Sequence, residues 1–304
     1  MEKGFCLILT KYRLYQGLTL YHSLCYNMES PQFFILCMDE EVHDTLLKLH
    51  LKNVTLIPVH QLENETLLAL KQERKLNEYC WTLKPVLLEY VFEHYPHVGL
   101  LTYVDSDIAF FNNPAPIYNE SDAHSVMLSR HNYTKSLDSI EPLCGTYNSG
   151  FLVFKRDING LDALKWWKKK CLDWCFDYVE KNKFGDQKYL DAMGYKFKGV
   201  GDIKTPGVNV GPWNDSRYKT NIHDGSVYIN NVKLIFYHFA GLRLLSPEKF
   251  TLILTFNNAL YQDIYVPYIK VLQRTITEVA QMAPHFQGFY GNETAGSKTF
   301  IVPL

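Results

Sequence analysis

The sequence predicts an α/β chain whose core is a mostly parallel, doubly wound sheet flanked by helices. Three observations carry that expectation. Through the first hundred residues, short apolar runs alternate with amphipathic stretches of helical period. That order builds parallel sheets through crossover helices. The run Leu100–Val104 is a block of uncharged β-formers, as expected of a strand covered on both faces. It stops at Asp105-Ser106-Asp107, which would be the carboxyl end of a central strand, where open α/β sheets bind ligands.

Taken in order, Phe5 to Thr10 reads as the first strand. Gly17 to Met28 follows as a helix, with Leu18, Tyr21, Leu24, Cys25 and Met28 on one stripe. Phe33 to Met38 is a second strand, Glu40 to Leu51 an amphipathic helix and Val54 to Val59 a third strand. No Gly-x-Gly-x-x-Gly follows the first strand, which disfavours a dinucleotide cofactor. Leu62 to Lys75 reads as a surface helix, and Tyr79 to Tyr95 as a longer one with Pro85 near its first turn. Ser125 to Ser129 and Gly150 to Lys155 are strands, and Leu161 to Lys183 a patterned helix. Thr205 to Asn214 is a loop, Lys233 to Phe239 a strand, and Ala259 to Met282 a helix interrupted by Pro267. The expected division is a main α/β domain over residues 1–250 and a helical extension over 251–304 packed on it.

At 304 residues, 47% hydrophobic and 21% charged, the chain has an ordinary globular composition. A formal net charge of -1 gives no field that favours nucleic acid. The seven cysteines are odd in number, scattered and without a CxxC pair. They read as free thiols in a reducing compartment and argue against zinc. Cys171 and Cys175 are expected on one helix face. With no signal-peptide anatomy and no membrane-length apolar run, the expected location is cytoplasmic. Lys168-Lys169-Lys170 is either a solvated helix face or a contact with an anionic membrane surface, so peripheral membrane association stays open.

In an extended chain, residues i and i+2 point the same way, so Asp105 and Asp107 can aim two carboxylates at one point. Two hard oxygen donors suit Mg²⁺ or Mn²⁺, which complete their shells with phosphate oxygens. The other reading is a strand exit with two solvated acids.

Several separated segments fall into one pattern. They are Thr10-Lys11-Tyr12-Arg13-Leu14-Tyr15-Gln16-Gly17, Trp81-Thr82-Leu83-Lys84-Pro85, the acidic motif, Tyr147-Asn148-Ser149-Gly150, Phe184-Gly185-Asp186-Gln187 and Tyr237-His238-Phe239-Ala240-Gly241. In order and approximate spacing, over roughly residues 5 to 245, they resemble the GT-A glycosyltransferases. Within these the likeness is to the retaining group that includes glycogenin-like and bacterial lipooligosaccharide galactosyltransferases, and to bacterial nucleotide-diphospho-sugar transferases.

The resemblance implies a GT-A, Rossmann-like fold and roles for particular residues. Asp105 and Asp107 would serve a Mn²⁺ or Mg²⁺ ion, with Asp105 also near the ribose and Ser106 between them. His238, in a His-x-x-Gly motif ending at Gly241, would be the third ligand; a histidine beside a strand can also be structural. Arg243 stands near a basic diphosphate grip, although the family's Lys-Pro-Trp is missing, and it could be a surface arginine. Lys84 matches a basic residue on the sugar nucleotide, or is a solvated helix lysine. Thr10 matches the base-binding segment. Tyr12 and Tyr15 straddle the expected stacking position, which Arg13 occupies. Asn148 matches a donor-sugar contact. Asp186 and Gln187 match a pair beside the anomeric carbon and are the candidate catalytic residues; Asp186 could instead be a helix cap. Asn209, Trp213 and Asn214 are candidates for an acceptor or donor-sugar wall, with a core tryptophan as the alternative.

The expected activity is metal-dependent transfer of a sugar from a nucleoside-diphosphate sugar, with uridine diphosphate favoured. The acceptor would be a glycan, lipid-linked or protein hydroxyl, and Gln187, being uncharged, points to retention. The rival readings are a sugar-nucleotide-binding protein without catalysis and a sugar nucleotidyltransferase. The latter normally carries a Gly-rich basic loop where Thr10 to Gly17 has one glycine.

Overall fold

Every residue of Val98–Val104 is buried, so this strand must have neighbours on both edges and cover on both faces. The computed structural model, which describes residues 1–252, 260–293 and 296–303, supplies both. Its first eight strands are β1 (Glu2–Leu9), β2 (Gln32–Cys37), β3 (Val54–Pro58), β4 (Val98–Val104), β5 (Ile108–Phe110), β6 (Val126–Arg130), β7 (Tyr147–Lys155) and β8 (Val200–Asp202). The later ones are β9 (Thr220–His223), β10 (Ser226–Ile229), β11 (Val232–Lys233), β12 (Phe236–His238), β13 (Leu242–Leu244), β14 (Lys249–Leu252) and β15 (Lys298–Ile301). The helices used below are α1 (Leu14–Asn27), α2 (Glu40–Lys48), α3 (Glu65–Glu73), α4 (Leu76–His94), α5 (Ala115–Tyr118), α6 (Glu141–Cys144), α7 (Ile158–Asp173), α8 (Leu190–Lys196) and α9 (Val266–Met282).

The central sheet has seven strands in the order β3-β2-β1-β4-β7-β6-β8. Strands β1 to β4 run parallel and β7 alone runs against its neighbours, while β6 and β8 are again parallel. One face is covered by α4 and α7 through Leu83, Leu87, Val91, Leu164 and Trp167. The other is covered by α1 and α9 through Leu14, Leu18, Ile269, Leu272 and Ile276. The chain after Phe250 therefore shares the main core, and β15 pairs with β14.

The apolar pattern misplaced several boundaries. Pro85 lies inside α4, not in its first turn. Its missing N–H leaves the Trp81 carbonyl without the usual helical partner. The helix expected to reach Lys183 ends at Asp173, and Trp174 is extended. The cause is buried Arg74, which donates to the Cys171 and Leu172 carbonyls at 2.8 Å each and satisfies the last turn. Cys175 is thus off the helix, and Val179 is 44% exposed. The strand expected over Lys233 to Phe239 is split between β11 and β12. The terminal helix was placed from Ala259, which lies outside the described residues. A π-helical turn, Tyr261–Tyr265, precedes α9, and Pro267 stands in the first turn of α9, where no N–H is needed.

Strand β8 pairs with β6 at one end of the sheet, and its last residue ties it further to β6 and β7. Asp202 accepts from Tyr147 Oη at 2.7 Å and from Arg130 Nη1 at 2.8 Å. Burial would raise its carboxyl, but these partners hold it below the ordinary range. A depressed folded-state pKa gives stability that is present above the unfolded value and lost as pH falls through the folded one. Asp202→Asn is therefore expected to lower stability at pH 7 by about 1–2 kcal/mol. Urea titrations at descending pH should show the gap closing below about pH 4.

Candidate active site

Strand β4 delivers Asp105 to the carboxyl end of the sheet's middle strand, where its N–H bonds the Gly150 carbonyl of β7 at 2.8 Å. A tight turn follows, with Ile108 N–H on the Asp105 carbonyl at 3.1 Å. It feeds β5, which leaves the main sheet and pairs with β12 so that His238 stands opposite Ile108. The Phe239 N–H then bonds the Asp107 carbonyl at 2.7 Å. This backbone lattice fixes the imidazole against the acids. His238 Nε2 is 3.0 Å from Asp107 Oδ1 and 4.0 Å from Asp105 Oδ2.

The three side chains offer donor atoms all within 4.8 Å of one another. Ligands about 2.1 Å from an octahedral ion lie about 3 Å apart when adjacent and about 4 Å when opposite. Two carboxylates and an imidazole at these separations fit a divalent ion such as Mn²⁺ or Mg²⁺. Gly150 makes the arrangement possible. A Cβ there would lie 2.5 Å from His238 Cε1 and 2.8 Å from Asp105 Oδ2.

Three buried or half-buried acids sit close together, and two cations offset them. Lys84, 2% exposed, reaches Asp105 Oδ1 at 3.2 Å, Asp186 Oδ2 at 3.3 Å and Ser149 Oγ at 3.0 Å. Burial would lower the Lys84 pKa, but Asp105 and Asp186 outweigh it and raise it, so the ammonium persists. Burial lifts the Asp186 carboxyl, with Lys84 opposing. Arg13 Nη1 lies 3.2 Å from Asp107 Oδ2. Burial would raise Asp107 too, yet Arg13 and His238 hold it well below the usual carboxylate range.

These groups form one end of a cleft of about 630 Å³. Thr10, Tyr12, Lys84, Asp105, Ser106, Asp107, Asn148, Asp186, Gln187, Gly241 and Arg243 all line it. Lys84 is not a solvated helix lysine, and the Asp186 side chain makes no cap hydrogen bond. Asn148 Oδ1 accepts from the Gly150 N–H at 2.8 Å, and its amide meets His131 Nε2 at 3.2 Å. Burial drops the His131 pKa to about 3, so that imidazole is neutral. Gln187 Nε2 donates to the Cys144 carbonyl at 2.8 Å. Gly241 has φ +82°, which turns the chain between His238 and Arg243.

Four singled-out residues stand elsewhere. Tyr15 is buried between Phe286 and Phe289, not on the cleft wall. Trp213 is buried, with its ring edge-on to His238 at 5.1 Å. Asn214 donates to the His131 and Asn209 carbonyls, and Asn209 to the Arg130 carbonyl, all at 2.7–3.1 Å. These three form a layer behind His238 and His131 in place of the expected sugar wall.

No protein-family model matches the chain. It is 40% identical over 296 residues to the uncharacterized protein YfnF of Bacillus subtilis (strain 168), covering 95% of this chain and 98% of that one. It is also 31% identical over 303 residues to YfnD of the same organism, covering 98% and 97%. The chain belongs to the YfnF and YfnD family. This YfnF-family member also superposes on the galactosyltransferase LgtC, solved with donor and acceptor sugar analogs. The TM-score is 0.55 at 14% identity, over 90% of this chain and 96% of that one. That likeness shows the fold, which is GT-A.

Sequence reasoning gave no site role to Arg13, Ser149, Trp81, Phe184 or Tyr290, all of which touch the site or line the cleft. Arg13, Ser149, Trp81 and Phe184 fall inside or beside quoted motifs. Tyr290 has no sequence signal. In this YfnF-family member, Gly150→Ala is expected to overpack the acids at a cost of about 1–3 kcal/mol and to weaken Mn²⁺ binding with the far-UV spectrum kept. Unchanged Mn²⁺ affinity in calorimetry would separate Gly150 from the ion site.

Proposed function

We propose that the protein is a metal-dependent glycosyltransferase that takes a sugar from a nucleoside diphosphate, uridine diphosphate favoured, to a hydroxyl of a glycan, lipid-linked or protein acceptor. One observation carries this reading: Asp105, Asp107 and His238 offer donor atoms within 4.8 Å of one another, and the two aspartates line a cleft that also presents Arg13, Lys84 and Arg243. A pyrophosphate-sized anion and a divalent cation together match that charge pattern. A cytoplasmic setting fits the seven free thiols, and among the described residues no helix is long and apolar enough to cross a membrane.

Asp105, Asp107 and His238 would hold Mn²⁺ or Mg²⁺, which supplies Lewis-acid neutralisation of a leaving diphosphate. The residues of the chain do the rest. Arg13 and Arg243 offer guanidinium forks to phosphate oxygens. Asn148, whose amide is held by Gly150 and neutral His131, would stand beside the sugar. Asp186 is engaged by Lys84, and Gln187 is neutral. Burial pushes the Cys80 thiol up to about 12 and raises the Tyr103 phenol, so neither takes a proton near neutrality. With Asp186 held by Lys84 and Gln187 neutral, a diphosphate oxygen is the base in this reading: it takes the acceptor proton as the donor C–O bond breaks, and the new bond forms on the face the leaving group vacates. That path retains configuration.

Calorimetry with uridine diphosphate is expected to show binding in Mn²⁺ that EDTA abolishes. Asp107→Asn should weaken it by at least about tenfold, the loss of one charge-assisted contact. Equal affinity in EDTA would remove the metal from the reading. NMR of the transfer product should show the donor's anomeric configuration. Inversion would instead point to Asp177, the other carboxylate among the described cleft residues, which accepts from Asn77 at 3.1 Å.

A further inference from the structure

The lysine run of α7 lies beside a cluster of rings at the far end of α8. Trp166 is half-buried, with Phe197 at 5.7 Å, Tyr189 edge-on at 6.4 Å and Lys196 Nζ over its ring at 5.8 Å. Tyr195, next to Lys196 in the chain, is 94% exposed. It follows Gly194, where an added Cβ would meet open space. A bare phenol and a half-covered indole thus stand at the same edge of the protein.

Charge gathers at that edge too. Lys168 is paired with Glu89. Lys169 and Lys170 are three and four residues beyond Trp166, so both flank it on the helix surface, and Lys165 is exposed beside them. Lys196 and Lys198 come from the end of α8 and the turn after it. Among the described residues none of these five lysines makes an ion pair. The acids of the two helices are Asp162, Asp173 and Asp191, and Asp191 is taken by Lys188 at 2.9 Å. Five lysines against two aspartates make a local excess on a chain whose formal net charge is -1.

We propose that this surface docks on the headgroup layer of an anionic bilayer, with Tyr195 and Trp166 at the interface. Lysine ammoniums meet acidic headgroups while their stems cover apolar surface beside the rings. Tyrosine and tryptophan suit that depth, having an apolar body and a polar tip. Helix α8 leads back from Tyr195 towards Gln187, on the cleft wall. Its seven residues span about 10 Å, so docking holds the cleft within short reach of the headgroups. The surface lies apart from the ion site, and its role stands whether or not the cleft takes a sugar nucleotide.

The test is co-sedimentation of the full chain with phosphatidylcholine vesicles, with and without phosphatidylglycerol as one lipid in three. Binding to the anionic vesicles is expected to be at least about tenfold stronger at low salt and to fall as salt screens it. Lys169→Glu with Lys196→Glu should remove the preference. Lys48→Glu with Lys233→Glu, at exposed lysines elsewhere, changes the net charge equally and should keep it. Tyr195→Ser should weaken vesicle binding several-fold with every lysine in place, and all three variants should melt with the wild type. Equal binding to both kinds of vesicle overturns the assignment, as does an equal loss in the Lys48 and Lys233 variant. If soluble polyglutamate displaces the wild type and Tyr195→Ser binds vesicles unchanged, the surface fits an acidic polymer and the bilayer assignment falls.

Discussion

The constraint on which the site depends is the crowding of like charge. Asp105, Asp107 and Asp186 are brought to one end of a cleft, with Asp107 and Asp186 deeply buried. Carboxylates this close cannot all stay ionised without compensation. Lys84 bridges two of them, and Arg13 and His238 take the third. Lys84 is the more demanding of the two cations. It is a buried ammonium that comes from the middle of α4, so the position of that helix against β4 is tied to the charge balance of the site. Removing it would leave two acids facing each other in a poorly solvated place.

Much of this was legible from residue order. The alternation through Val59 gave the parallel half of the sheet, because strands covered on both faces show unbroken apolar runs. The acidic pair was readable because side chains two apart in a strand share a direction. Other features are tertiary by nature. The end of α7 is set by Arg74, a residue of another segment, so the apolar stripe beyond Asp173 misled. Trp213, beside Gly and Asn, reads equally as a sugar wall or a core tryptophan, and only the fold shows that it fills space behind His238. Tyr12 and Tyr15 are alike in sequence. Only the return of the C-terminal segment makes one a wall and the other a clamp.

The layer behind the imidazole shows how a loop can serve a site without touching the cleft. Asn214 gathers the carbonyls of His131 and Asn209, and Trp213 sets its edge against both His131 and His238. The same loop gives Val210 as backbone acceptor for the His238 N–H at 2.7 Å. These contacts hold the backbone of His238 and pack an indole against its ring, and positioning by groups behind a ligand matters in an ion site.

The pairing of β5 with β12 lies outside the main sheet and joins segments far apart in the sequence. During synthesis the acidic turn leaves the ribosome long before β12 exists. A nascent chain that ends before Phe236 therefore carries its repelling carboxylates with no imidazole beside them. Closing so long a loop is slow, so the ion-holding corner waits on a distant part of the chain that local folding of β4 and β5 does not supply.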